Sequence, residues 1–163
     1  MSFISRISRF RRADDGAALV EFAFVLPLML LIFAVIIEGS RTFWAYQTTI
    51  AGVRDATRFI ARAEASDICE TGGGLTQWTA RAGSIVRQSQ SGTDLFPSTI
   101  SVTSVIPTLA CISGNYAMGT VPVATVTAQL EIDYPFAGVF SFFDLSLPKV
   151  TTVISDTGRI FGT

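Results

Sequence analysis

The amino-acid sequence predicts an α+β fold, with a long N-terminal helix whose first half spans a membrane and a small domain after it. Three features support this prediction: a long apolar run, a helical periodicity that continues beyond it, and alternating apolar and polar residues near the C-terminus. The domain is expected to hold a second helix and an antiparallel sheet of about three strands. We therefore divide the 163 residues into a basic leader at 1–16, a helix at 17–66 and an extracytoplasmic α+β domain at 67–163.

The apolar run extends from Ala17 to Ile37 and contains one charged residue, Glu21. Its length matches the roughly 20 residues that a helix needs to cross a bilayer. Each Leu, Ile, Val or Phe favours insertion by about 0.3–0.6 kcal/mol, whereas a carboxylate at mid-bilayer costs about 2.5–3.5 kcal/mol. Because Glu21 lies near one end of the run, insertion is favoured and membrane lipid is an expected partner.

The charges on the two sides of the run predict its orientation. Arginines cluster before the run and are widely spaced after it, at Arg6, Arg9, Arg11 and Arg12 against Arg41, Arg54 and Arg58. Positively charged flanks stay in the cytoplasm, so the N-terminus is expected there and the domain on the far side. A conventional secretory signal is the alternative, but the run exceeds the usual length of about 7–15 residues, and no Ala-x-Ala site follows it.

The helical pattern continues past the apolar run. Residues that favour a buried face recur every three or four positions, at Phe43, Tyr46, Ile50, Val53, Thr57 and Ile60. This spacing predicts an amphipathic continuation to about residue 66. Pro27 lacks a backbone donor and is expected to kink the helix, which membrane helices tolerate.

A second, shorter helix is predicted after the glycine run at 72–74, which ends the first helical pattern. Apolar residues resume at helical spacing from Leu75, and Ser91-Gly92 is the expected stop. The segment 136–147 holds four phenylalanines and is too short to cross a bilayer as a helix. It either covers the sheet or forms an adhesive patch for a partner.

Three strands are predicted in the domain. Strict alternation over 124–134 indicates a half-buried strand. Weaker alternation of β-branched residues predicts a strand at 100–106, bounded by Pro107, and another at 149–155, bounded by Gly158. These strands would assemble into a small antiparallel sheet.

The two cysteines, Cys69 and Cys111, both fall in the part expected outside the cytoplasm, where oxidation is permitted. Only one pairing is possible, so a disulfide between them is predicted. Two buried free thiols are the alternative.

Composition excludes several classes of function. The chain has no histidine, which removes Ser-His and Cys-His dyads and the usual zinc ligand sets. No phosphate-binding or nucleophile-elbow motif is present, and a net charge of −1 argues against nucleic-acid binding. Glu131 and Asp133 share one strand face, which would suit a calcium or acid/base site, but the polar face of any strand has this pattern and a solvated face is the preferred interpretation. We therefore predict no catalytic residue, no metal site and no cofactor.

Glu21 is the unusual polar residue, because a carboxylate in lipid requires a partner. If the chain were cut after Gly16, the new α-amino group of Ala17 would lie one helical turn from Glu21. Opposite charges pair at this spacing. The amine of a neighbouring subunit would serve equally well.

This arrangement resembles the class III signal of type IV pilins and pseudopilins, in which cleavage follows a glycine and glutamate becomes the fifth mature residue. The resemblance to TadE-like pseudopilins of the tight adherence system covers about residues 11–60. It rests on the string from Gly16 to Leu28, with Tyr46, Gln47, Thr48, Ala51, Arg54, Asp55, Ala56, Thr57 and Arg58. Tyr134-Pro135-Phe136 adds weaker support.

The resemblance implies that a membrane aspartyl prepilin peptidase removes the leader between Gly16 and Ala17. Glu21, with Phe22 beside it, would then guide docking among helices in the bacterial inner membrane, with the domain in the periplasm. Other pseudopilins, the Flp pilin and the inner-membrane assembly platform become expected partners. The implied function is that of a minor component that helps assemble or prime a Flp-type pilus for surface attachment, with possible incorporation into the filament.

One departure from the family pattern concerns size, because the predicted domain is much larger than a Flp major pilin. This favours priming or tip placement over filament building. The alternative function is a single-pass, membrane-anchored binding module with an uncleaved N-terminus. Such a module would tolerate Glu21→Leu.

Overall fold

The computed structural model describes residues 15–114 and 119–162 and confirms the predicted α+β fold. Two compact units are present: residues up to Gly39 with Phe136–Ser146, and Ser40–Pro135 with the residues from Leu147 onward. The elements are α1 (Asp15–Ala63), α2 (Ile68–Thr71), a 3₁₀ turn (Thr76–Trp78), α3 (Thr79–Arg87), β1 (Ile100–Ser113), β2 (Thr120–Ile132), α4 (Ala137–Ser141) and β3 (Val150–Arg159).

Helix α1 contains 49 residues and includes Pro27 in its interior. Among the described residues, it is the one helix long and apolar enough to cross a membrane, with a mean hydropathy of 2.8 over its most apolar stretch. Its apolar side chains are exposed, as Leu19 at 70% and Phe33 at 55% illustrate. A core helix of a soluble protein would bury such residues, so their exposure agrees with a single membrane span.

The second half of α1 buries a face built largely from small residues: Ala45, Thr49, Gly52, Val53, Ala56, Thr57, Ile60 and Ala61. The predicted face is correct at Val53, Thr57 and Ile60. It is wrong at Phe43, which is 67% exposed. A β-carbon added at Gly52 would lie 2.9 Å from the Val86 Cα atom, so the backbones of α1 and α3 approach too closely for larger side chains.

The sheet has the order β1-β2-β3, and both pairings are antiparallel. On the central strand β2, Ala124, Val126, Ala128, Leu130 and Ile132 are fully buried. These are the even positions of the predicted alternation, which is therefore confirmed. The alternating positions face the core because successive side chains of a strand point to opposite sides.

Both flanking strands extend beyond their predicted ends. Pro107 does not stop β1 but lies inside it, opposite Val126. An edge strand tolerates proline, because a residue on its free side needs no backbone donor. Gly158 lies within β3, where an added β-carbon would come within 3.0 Å of the Thr57 Cγ2 atom. This glycine accommodates a close neighbour and does not end the strand.

The predicted second helix is shorter than expected, because α3 ends at Arg87 and not near residue 91. Past it the chain turns back, so that Gln88 bridges to Asp94, with Gly92 at a φ of 80°. The Arg87 guanidinium donates 2.8 and 3.3 Å hydrogen bonds to the carbonyl oxygens of Val102 and Thr103. These carbonyls lie at an irregularity in the β1-β2 register, so Arg87 supplies donors where the ladder is disrupted.

Candidate functional site

The predicted cleavage site lies in the first turn of α1, which begins at Asp15. Residues 1–14 of the predicted leader lie outside the described residues. Gly16 does not have a positive φ, and a β-carbon added there would meet no described atom within 4 Å. The described fold therefore does not require glycine at this position, and alanine is the better helix former.

Glu21 and Phe22 are both exposed on α1. Ala17 and Glu21 are four residues apart, which places them on one helix face with an axial separation of about 6 Å. No hydrogen bond or ion pair to Glu21 occurs within residues 15–114 and 119–162. Its carboxylate is therefore placed to pair with an amine at Ala17 or with a group of another chain.

The start of α1 is exposed at every residue from 16 to 26, so no other described segment covers it. The exposed fractions of Leu19, Phe22 and Phe24 are 70%, 57% and 79%, and these side chains point in different directions around the helix. This length of helix can therefore contact lipid or other helices on any side.

The comparison with family models found a match, and the matched residues lie within α1. Residues 16–58 match the family described as TadE-like protein. This segment is TadE-like. The match agrees with the resemblance found in the sequence, and it relates the chain to proteins associated with Tad/Flp pili. The comparisons with curated proteins and with solved structures gave no match.

The TadE-like segment begins at Gly16, the residue before the predicted cleavage point, and ends at Arg58, inside α1. It includes the exposed apolar stretch and most of the face that packs on the sheet and on α3. The sheet and α3 lie outside the matched segment. The family match therefore concerns the helix that would enter a membrane, and it does not extend to the sheet or to α3.

A disulfide joins Cys69 of α2 to Cys111 of β1, across a sequence separation of 42 residues. Cys69 packs against the core, whereas Cys111 lies on the exposed length of β1. The bond ties the segment that follows the TadE-like helix to the far part of the first strand. It removes conformational freedom from the unfolded chain.

Replacing both cysteines by serine is expected to lower the free energy of unfolding by about 2–4 kcal/mol. The cause is the restored freedom of a closed loop of about 40 residues. The free energy of unfolding is measured by urea denaturation of the full chain in detergent, with tryptophan fluorescence as the probe. Reduced wild-type protein should match the C69S/C111S variant, and two alkylated thiols in non-reduced protein would contradict the bond.

Glu131 and Asp133, the candidate carboxylate pair, face Lys149. The Lys149 Nζ atom lies 2.8 Å from Glu131 Oε2 and 3.6 Å from Asp133 Oδ2. The hydrogen bond to Glu131, with the nearby charge of Asp133, raises the pKa of Lys149 above its usual value. Within the described residues, no group of three or more potential ligands could hold a metal ion. The geometry is that of an exposed ion-pair network.

The sequence pattern did not single out the buried carboxylate of Glu38. Glu38 directly follows the apolar run and is only 3% exposed. Its Oε1 atom accepts a 2.9 Å hydrogen bond from the backbone N–H of Phe136. In the sequence, a carboxylate directly after the apolar run indicates where the span ends. It does not indicate that its hydrogen-bond partner is a residue 98 positions away.

Proposed function

We propose that this chain is a minor pilin or pseudopilin that helps assemble or prime a Flp-type tight adherence pilus for surface attachment. The observation that carries the proposal is a TadE-like match that begins at Gly16 on a helix exposed on all sides from residue 16 to residue 26. An exposed apolar helix that carries the Glu21 carboxylate near its start, without a partner for it among the described residues, is suited to dock against other helices in a membrane.

In this proposal a prepilin peptidase removes the leader after Gly16, and the α-amino group of Ala17 becomes the mature N-terminus. Glu21 then neutralises this amine, or the amine of a neighbouring subunit, within the apolar layer. A charge pair costs less in lipid than either charge alone, so correct docking is favoured. Phe22, which is 57% exposed next to Glu21 in the sequence, supplies apolar surface for docking against other helices. The chain itself performs no catalysis.

The proposed location is the bacterial inner membrane, with the N-terminus in the cytoplasm and the domain in the periplasm. The arginines before the span support this orientation. The Cys69–Cys111 bond supports it independently, because disulfides persist in oxidising compartments such as the periplasm. Other pseudopilins, the Flp pilin and the inner-membrane assembly platform are the proposed partners. The large domain favours a priming or tip position.

The N-terminal sequence of the protein, recovered from membranes of strains with and without the prepilin peptidase, tests the proposal. The expected result is a start at Ala17 that requires the peptidase. An intact N-terminus in both strains would contradict it and support a membrane-anchored binding module. The observation that favours this alternative is an open groove of about 940 Å³ between α1 and α3, lined by residues that include Gln47, Asp55, Arg81 and Gln88.

A further inference from the structure

The short segment Phe136–Ser146, which includes α4, exposes large apolar side chains. Phe142 is 77% exposed, and Leu145 is 51% exposed. Asp144 is the one charged residue of this segment. Phe140 is the exception, because only 5% of its surface is exposed. One side of the segment is therefore packed, and another side presents aromatic and aliphatic surface without a covering neighbour in the described chain.

The start of this segment is held at the end of the apolar run. Glu38 is the first charged residue after Ile37, and its carboxylate accepts the hydrogen bond of the Phe136 N–H at 2.9 Å. In a helix that spans a bilayer, the first polar residue after the apolar run lies near the lipid–water boundary. Phe136 therefore lies at that boundary.

The burial of α1 indicates how deep the segment reaches. Ala34 is only 2% exposed, whereas Ala23 of the same helix is exposed, so the neighbouring turns of the helix alone do not cover an alanine. Ala34 lies four residues before Glu38, which is about 6 Å further into the apolar layer. Phe136–Ser146 is the second segment of the unit that contains Ala34, and it supplies the buried Phe140.

We propose that residues 136–146 form a second membrane contact, which inserts Phe142 and Leu145 into the interfacial layer of the bilayer beside the helix. A lipid surface is the expected partner of these side chains, because they belong to the same unit as the exposed apolar surface of α1. That surface ends at Glu38, the residue that binds Phe136. Aromatic side chains are favoured at this depth. The inference rests on the proposed membrane span.

The test uses the full chain with its native disulfide and one added cysteine labelled with the fluorophore NBD. Phe142→Cys is the test position, and its exposure makes the substitution compatible with the fold. Phe24→Cys, within the apolar run, reports the span. Ser91→Cys, in the exposed loop after α3, sets the level for a water-exposed label. Each protein is reconstituted at low density in phosphatidylcholine/phosphatidylglycerol vesicles, with and without doxyl-labelled lipid.

The expected result is that doxyl lipid quenches the label at 142 at least half as strongly as the label at 24, while the label at 91 is unaffected. Iodide in the buffer should quench 142 several-fold less than 91. Leu145→Cys, labelled in the same way, should behave like Phe142→Cys.

Quenching at 24 without quenching at 142 would overturn the inference and leave the proposed function intact. Absence of quenching at both positions would overturn the membrane span, and with it both proposals. Protection of 142 from iodide that increases with protein density, without quenching by doxyl lipid, would show that a second copy covers the surface and would also overturn the inference.

Discussion

Gly16→Ala is expected to leave the helix folded and to prevent removal of the leader. A β-carbon at this position meets no described atom within 4 Å, and alanine favours the helix, so folding should change by less than about 1 kcal/mol. In a peptidase site that accepts only a hydrogen atom, one added methyl group costs about 1–3 kcal/mol, which slows cleavage about 5- to 150-fold. Intact mass measured over time after synthesis in the native strain reports the cleavage rate.

Gly39→Ala is the matched control for this prediction. Gly39 lies in the same helix and is equally open, with no atom within 4 Å of an added β-carbon. The variant should be cleaved at the wild-type rate, because it changes helix propensity without touching the junction. Cleavage of the Gly16→Ala variant at the wild-type rate would show that the peptidase does not require glycine at this position, and the proposed cleavage site would be wrong.

Glu21→Ala is expected to be cleaved normally and to be lost from the assembled pilus system. The change removes the carboxylate that neutralises the amine of Ala17, and an unpaired charge in the apolar layer costs about 3 kcal/mol. That cost corresponds to about 150-fold weaker docking. The measurement is the amount of the chain that co-purifies with pilus components from membranes and from sheared surface material.

A double variant, Glu21→Phe with Phe22→Glu, tests whether the position of the carboxylate on the helix matters, because the composition of the helix stays the same. It keeps the net charge and the apolar content of the helix but moves the carboxylate from about 40° to about 140° around the axis from Ala17. We expect a loss of incorporation similar to that of Glu21→Ala. Normal incorporation of the exchanged variant would show that the carboxylate acts through its charge alone, and normal incorporation of Glu21→Ala would remove its proposed role.

Sequence patterns were sufficient where one physical requirement dominates a segment. A stretch without water must satisfy its backbone internally and expose apolar side chains, so the run Ala17–Ile37 predicts a helix from composition alone. Alternation over 124–134 predicts β2 for a similar reason, because one face of that strand, which ends at Ile132, is completely buried. The candidate assembly residues Gly16 and Glu21 were identifiable because both are local exceptions within an apolar, helical pattern.

Patterns failed where a contact with a distant segment decides the outcome. Phe43 has the spacing of a buried residue, yet α1 packs through small residues because its backbone meets α3 at Gly52. Pro107 looks like the end of a strand, but its tolerance depends on β1 being at the edge of the sheet. Gly158 resembles a stop, although it lies within β3 and faces Thr57.

The sequence by itself determined the α+β class, the apolar helix and the placement of glycine and glutamate at its start, because these depend on spacing along one helix and on the properties of lipid. Only the tertiary structure decided which face of α1 packs, how far β1 and β3 extend, and that Glu38 binds the backbone of Phe136. These features depend on close approach between segments that lie far apart in the chain. The helix or strand propensity of a short segment does not depend on distances to remote segments, whereas packing and hydrogen bonding depend on those distances directly.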